Sequence, residues 1–306
     1  MKAFICLIFM NLTAFAGQAQ GNQPVAWKFA SEAAAPLTYQ INFMASIREP
    51  FHIYPQSFSG GIGMPTTISI EENANIELVG EMKEKGVESS EGVTPAFYAK
   101  GVTFSQTVRL RSDEKTTLRF RIRYMACNDQ MCLPPSTKEY SLVINDRTSG
   151  AATADGEKTA TAQEKTEAVL KYEHFEMPDM AGKKISTSTL TAGKKYTFID
   201  FWASWCVPCR AQGRALVPLY KRYRDQGFGV IGVSLDTDAI PWKKAIAADG
   251  YSWTNLSDLK GFESPVIKKF GINGIPRNIL VDSKGAVVAT DLHGKELEMK
   301  LAELFK

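Results

Sequence analysis

The sequence predicts two domains, an N-terminal antiparallel β-sandwich and a C-terminal α/β domain. Three observations carry this. A chain of 306 residues is long for one core and comfortable for two. From about Asn22 to Asn145, short alternating segments are separated by Gly, Pro, Asn and Asp clusters, with no long amphipathic helix pattern between them. After residue 169, continuous apolar runs alternate with helical periodicity.

The chain begins with Lys2, an apolar run from Ala3 to Met10, and small residues at Ala14, Ala16 and Ala19. A charged start, a short apolar core and an A-x-A-like site read as a secretory signal over residues 1–19, cleaved near Ala16 or Ala19, the alternative being an uncleaved apolar anchor or a buried N-terminal segment. Cys6 lies inside the apolar run and leaves with it. No later stretch is apolar for the ~20 residues a helix needs to span a bilayer. The expectation is an exported, periplasmic protein with no stable membrane insertion after signal removal. A composition of 44% hydrophobic and 23% charged residues with a net charge of +3 is ordinary for a globular protein and gives no sign of a nucleic-acid partner.

Within residues 22–145, strand-like segments fall at Leu37 to Ala45, Thr66 to Ile70, Ile76 to Val79, Thr103 to Leu110, Leu118 to Tyr124 and Tyr140 to Ile144. Residues 146–168 are rich in Ala, Thr, Glu, Lys and Gly with almost no large apolar side chain, which predicts a flexible linker. In residues 169–306, Tyr196 to Phe201 and Gly229 to Leu235 read as strands buried on both faces, and Val207 to Gln226 as a helix. Further helices are expected at Ile240 to Asp249, Phe262 to Phe270 and Gly294 to Phe305, and strands at Asn278 to Val281 and Ala286 to Thr290.

Loss of Cys6 leaves two close pairs, Cys127 with Cys132 and Cys206 with Cys209. In an oxidising compartment either pair can be structural or redox-active. A zinc site is disfavoured because the pairs lie far apart and His52, His174 and His293 are scattered, so neither metal nor cofactor is expected. Cys206 follows a strand and opens a helix, where unpaired backbone N–H groups favour a thiolate. It is the expected nucleophile. Cys209, three residues on, can attack a mixed disulfide on Cys206 and release the reduced product. Leu118 to Tyr124 and Lys138 to Ile144 flank a turn that brings Cys127 and Cys132 within bonding reach, as a static staple or as a second exchange centre.

The run Trp202-Ala203-Ser204-Trp205-Cys206-Val207-Pro208-Cys209-Arg210 closely resembles thioredoxin. With Phe175-Glu176-Met177-Pro178-Asp179, Gly232 to Asp236 and Phe270 to Pro276, the region resembles the exported thioredoxin-like reductases of the TlpA and ResA type. That resemblance implies a thioredoxin fold and a cis bond at Pro276, after Ile275, facing the Cys206 sulfur and leaving the neighbouring backbone free to pair with a substrate strand. It implies that Asp200 is the buried acid that helps deprotonate Cys209, the alternative being a solvated strand-end carboxylate. Trp202, Trp205, Val207, Pro208 and Ile275 become candidate substrate contacts, with packing an equal reading for the two indoles. Gln212 stands where many relatives carry an acid, and the family's helix proline is displaced to Pro218. Val207 and Pro208 add no charge that would stabilise the thiolate, which favours a reductase over an oxidase or isomerase.

The Cys127 to Pro135 hairpin, Phe51-His52-Ile53-Tyr54 and Phe97-Tyr98 resemble the N-terminal domain of the DsbD family, an immunoglobulin-like module that passes electrons to periplasmic partners. The cysteine spacing is one residue shorter here, and Pro95-Ala96 replaces an acidic pair. The resemblance implies that Phe97 shields the cysteines and Tyr54 lines their site, against a plain core role for each. It also implies protein thiol or disulfide substrates and a membrane-embedded donor of DsbD type supplied by another protein. Two rivals stand beside this exchange reading: an N-terminal sandwich that only binds clients, and a thiol peroxidase, which lacks its proline-threonine-cysteine arrangement here.

Overall fold

The computed structural model describes residues 23–57, 63–89, 96–145 and 172–306. The expected signal segment, the linker over 146–168, Ser59 to Ile62 and Pro95 lie outside the described residues.

The N-terminal region is built from β1 (Val25–Ala35), β2 (Thr38–Ile47), β3 (Thr67–Ile70), β4 (Ile76–Ser89), β5 (Phe97–Leu110), β6 (Thr116–Tyr124) and β7 (Ser136–Ile144). These form a four-stranded sheet in the order β1-β2-β5-β4 and a three-stranded sheet in the order β3-β6-β7, with every pairing antiparallel. Strand β6 shows why. Its residues alternate without exception between buried and exposed, so Leu118, Phe120 and Ile122 enter the core while Arg119, Arg121 and Arg123 face water. Phe120 meets Phe43 of the other sheet edge to face, with ring centroids 4.8 Å apart, and Phe29 at 4.9 Å.

The first strand was not legible in the sequence. Val25, Trp27 and Phe29 alternate inward, but β1 then runs into Glu32 and three exposed alanines that carry no apolar signal. Backbone pairing with β2 holds that end in place.

The C-terminal region opens with a small hairpin, β8 (Glu176–Pro178) and β9 (Lys184–Ser186), and a short helix α1 (Thr187–Thr191). It continues through β10 (Tyr196–Trp202), α2 (Val207–Tyr223), β11 (Phe228–Ser234), α3 (Ala239–Asp249), β12 (Thr254–Leu256), α4 (Pro265–Lys269), β13 (Arg277–Asp282), β14 (Val287–Thr290) and α5 (Gly294–Leu304). The sheet order is β12-β11-β10-β13-β14, parallel from β10 to β12 and antiparallel at β13 and β14. Helix α2 continues through Pro218 to Tyr223 and ends in a 3-10 turn at Arg224–Gln226. The helix expected over Phe262 to Phe270 is split into a 3-10 turn at Gly261–Glu263 and α4. Extended backbone at Ser264 breaks it, and Pro265 restarts it at the first helical turn.

Candidate active site

The chain leaves β10 at Trp202, crosses three residues and enters α2 with Cys206 as its N-cap. The Cys206 sulfur accepts the Cys209 backbone N–H at 3.2 Å, the role an oxygen plays in an ordinary cap. In the structure the two cysteines are disulfide-bonded, with Cα atoms 5.3 Å apart. Ser204 fixes the crossing segment. Its N–H and hydroxyl both donate to Asp236, at 3.0 and 2.5 Å, and Ser234 donates to the same carboxylate at 2.7 Å. Burial pushes Asp236 above the usual carboxylate range, and these donors pull it back. Arg210 reaches the Ser204 carbonyl at 3.2 Å and pairs with the buried Asp249 carboxylate. Burial would raise Asp249, but Arg210 and Arg214 outweigh it and hold it low.

The Ile275–Pro276 bond is cis, and the Ile275 carbonyl lies 3.8 Å from the Cys206 sulfur. Asp200 is 2% exposed, which excludes the solvated strand-end alternative. Burial pushes its carboxyl up to about 7, while a 3.0 Å hydrogen bond from the Gln212 amide acts in the opposite direction. Trp202 is 1% exposed, its indole N–H donating to Asn255 at 3.2 Å and its ring set edge-on to Tyr251, so it offers no surface to a substrate. Trp205, Val207 and Pro208 are half-buried around the cysteine.

In the N-terminal region Cys127 and Cys132 are also disulfide-bonded. His52 and Cys127 exchange both backbone hydrogen bonds, at 2.8 and 3.0 Å. In such an antiparallel pair the two side chains share one face. The His52 ring lies against Phe97 with centroids 4.3 Å apart and planes tilted by 32°, and its Nε2 lies 3.3 Å from the Tyr54 hydroxyl. Burial pushes His52 down to about 4, against the pull of Asp129, and drives the Tyr54 phenol up.

The two cysteine centres meet. Cys132 N–H donates to the Ile275 carbonyl at 2.7 Å and Ile275 N–H donates back to Cys132 at 3.0 Å, a two-bond antiparallel bridge beside the cis proline. Gly63 N–H donates to the Trp205 carbonyl at 2.6 Å. Only glycine suits that position, since its φ is +93° and a Cβ would strike the Tyr54 ring at 2.7 Å. Gly274 similarly makes room for the tip of Met131. Cys127, Cys132, Cys206 and Cys209 are each 0 to 1% exposed. Beside the junction runs a groove of about 530 Å³ lined by Asp129 and Met131 from one region and Pro208, Gln212, Pro276 and His293 from the other. Among the described residues, no three His, Cys, Asp or Glu side chains gather in a way that could hold a metal.

This geometry agrees with what the chain is similar to. Residues 22–144 match the family model described as thiol:disulfide interchange protein DsbD, N-terminal, and residues 170–290 match the AhpC/TSA family. The chain is 32% identical over 135 residues to the thioredoxin-like protein YneN of Bacillus subtilis, covering 42% of this chain and 74% of that one. The chain belongs to the thioredoxin-like thiol-disulfide oxidoreductases. This oxidoreductase is also 29% identical over 146 residues to the thiol-disulfide oxidoreductase ResA of Bacillus thuringiensis, with 48% and 81% of the two chains covered. Among solved structures, a thiol-disulfide oxidoreductase from Bacteroides fragilis shares 35% identity, over 44% of this chain and 99% of that one, with a TM-score of 0.42.

Sequence reasoning missed the supports of the oxidoreductase's site. His52 and Asp236 lay inside quoted segments but carried no separate signal. Gln212 stood out only as a departure from pattern, and nothing linked it to His293, a contact across 81 residues.

Proposed function

We propose that this oxidoreductase is an exported reductase in which electrons pass between Cys206/Cys209 and Cys127/Cys132 and on to protein clients. The reading treats residues 22–145 as an immunoglobulin-like domain, 169–306 as a thioredoxin domain, and 146–168 as their tether. One observation carries it: the backbone bridge between Cys132 and Ile275, made by the residue before the cis proline where a substrate strand is expected to pair. Once the C-terminal pair is reduced, the Cys206 thiolate attacks the Cys132 sulfur. The Cys127–Cys132 bond breaks, and Cys127 leaves as a thiolate that takes up a proton. The Cys209 thiolate then attacks the Cys206 sulfur and releases Cys132, so the C-terminal pair ends oxidised and the N-terminal pair reduced. Tethering holds the partners at an effective concentration of about millimolar, so a small interface suffices. A membrane-embedded donor of DsbD type would re-reduce Cys206/Cys209, in keeping with the N-terminal family match.

The test uses the full chain carrying Cys127→Ser and Cys209→Ser, which leaves one sulfur on each side. Mild oxidation is expected to link Cys132 to Cys206 within one molecule, visible as a joined peptide pair in mass spectrometry. Only intermolecular links, or none, would refute transfer between the pairs. Peroxide reduction is the second reading, favoured by the AhpC/TSA match; rapid peroxide consumption by the reduced protein would establish it.

A further inference from the structure

Gln212 sits three residues after Cys209 on α2, so the two side chains share a helix face. Its amide joins two groups distant in sequence. Nε2 donates to Asp200 Oδ1 at 3.0 Å, and Oε1 contacts His293 Nδ1. An amide has one donor end and one acceptor end. With Nε2–H turned to a carboxylate, Oε1 must accept, which requires His293 to carry its proton on Nδ1.

We propose that Gln212, held in orientation by His293, is the positioning residue that sets the proton affinity of Asp200 and so the pH range in which Cys209 completes exchange. The surrounding construction supports this. His293 is the N-cap residue of α5 yet makes no side-chain cap bond to its own helix. Its loop is clamped instead. Asn278 bonds both the N–H and the carbonyl of Leu292, at 2.9 and 3.0 Å, and Arg277 pairs with Asp291 at 2.9 Å. Asp291 adopts a φ of +55°, an uncommon conformation for a residue with a side chain. The imidazole is thereby turned across to α2.

Asp200 is faced by Gln212 from α2, by Gly232 and Asn278 on the neighbouring strands, and by Tyr251, whose ionisation its charge opposes. His293 is faced by Asp291, Glu296 and Arg277, and burial lowers it against the pull of the two acids. Asp129 lines the same groove. In the step concerned, the Cys209 thiol gives its proton to the Asp200 carboxylate. The thiolate attacks Cys206, and the departing client thiolate takes up a proton, so the count balances. The amide N–H favours the ionised carboxylate, and therefore its loss raises Asp200 and delays its use as a base.

The inference rests on Cys206 and Cys209 acting as attacking and resolving sulfurs, but not on the N-terminal pair cycling. Reduction of a small aromatic disulfide by the full chain, with excess generic dithiol as electron source, is followed from acid to alkaline pH. The wild-type rate is expected to rise through about pH 7. Gln212→Met should move that midpoint up by roughly one pH unit, a rate loss of about tenfold on the acid side. His293→Phe should move it the same way by less, and His293→Gln, which keeps an N–H donor, should restore it. Unmoved midpoints in both Gln212→Met and His293→Phe would overturn the proposal; if Gln212→Met fails to fold, the two surface variants at His293 decide. Full turnover by Cys209→Ala would instead sink the exchange reading beneath it.

Discussion

Asp200 keeps its proton in the folded chain until about pH 7, whereas in the unfolded chain it loses it near 3.8. Between those values the folded state holds the extra proton, so this group makes the protein less stable as pH rises, and the deficit is complete above pH 7. Asp200→Asn removes it. The variant should gain up to about 4 kcal/mol in urea unfolding at pH 8 and little at pH 4, while exchange slows. Equal gains at both pH values would mean the acid is not the source. Cys206 offers a second check at this scale. As an N-cap sulfur accepting the Cys209 N–H, its thiol in the reduced protein should ionise below the ~8.5 of a free cysteine, read by alkylation across a pH series. The candidate site residues Cys206, Cys209 and Pro276 were legible because their spacing is local: two cysteines around two residues, a proline after an isoleucine. Their supports were not. Asp236 reaches Ser204 over 32 positions and Asp249 reaches Arg210 over 39, and no periodicity encodes such contacts.

Elements were readable in proportion to how completely their environment repeats. Strands β10 and β11 are buried along almost their whole length, so an unbroken apolar run identified each to within a residue or two. Strand β12 and the β8–β9 hairpin, three residues each, are too short to show a period. Helix α5 poses a trade between local stability and function, because its N-cap imidazole bonds Gln212 and leaves the helix uncapped. His293→Asp should therefore stabilise the helix by about 1 kcal/mol, seen in thermal or urea unfolding, while carrying the exchange profile to higher pH. A stabilised variant with an unshifted profile would show that the imidazole contact is incidental.

At the scale of the molecule, both cysteine pairs are buried and Cys132 is bridged to Ile275, so on the proposed function a client of either pair would wait until the hairpin leaves the cis proline. Gly274→Phe puts a ring where Met131 and the Cys132 carbonyl now pack. In the reduced protein it should speed alkylation of Cys206 by a bulky maleimide by about tenfold, the change expected from ~1.4 kcal/mol of lost docking; unchanged reactivity would mean the junction opens freely already. By itself, the sequence determined the class of chemistry at Cys206 and Cys209 and the presence of a second close cysteine pair, because cysteine spacing, apolar period and helix starts are properties of neighbouring residues. Only the tertiary structure decided that Cys132 lies against Ile275, that Trp202 belongs to the core, and that Gln212 bridges Asp200 to His293. Those outcomes depend on how separately formed elements close on each other, and the packing of distant surfaces leaves no periodic trace along the chain.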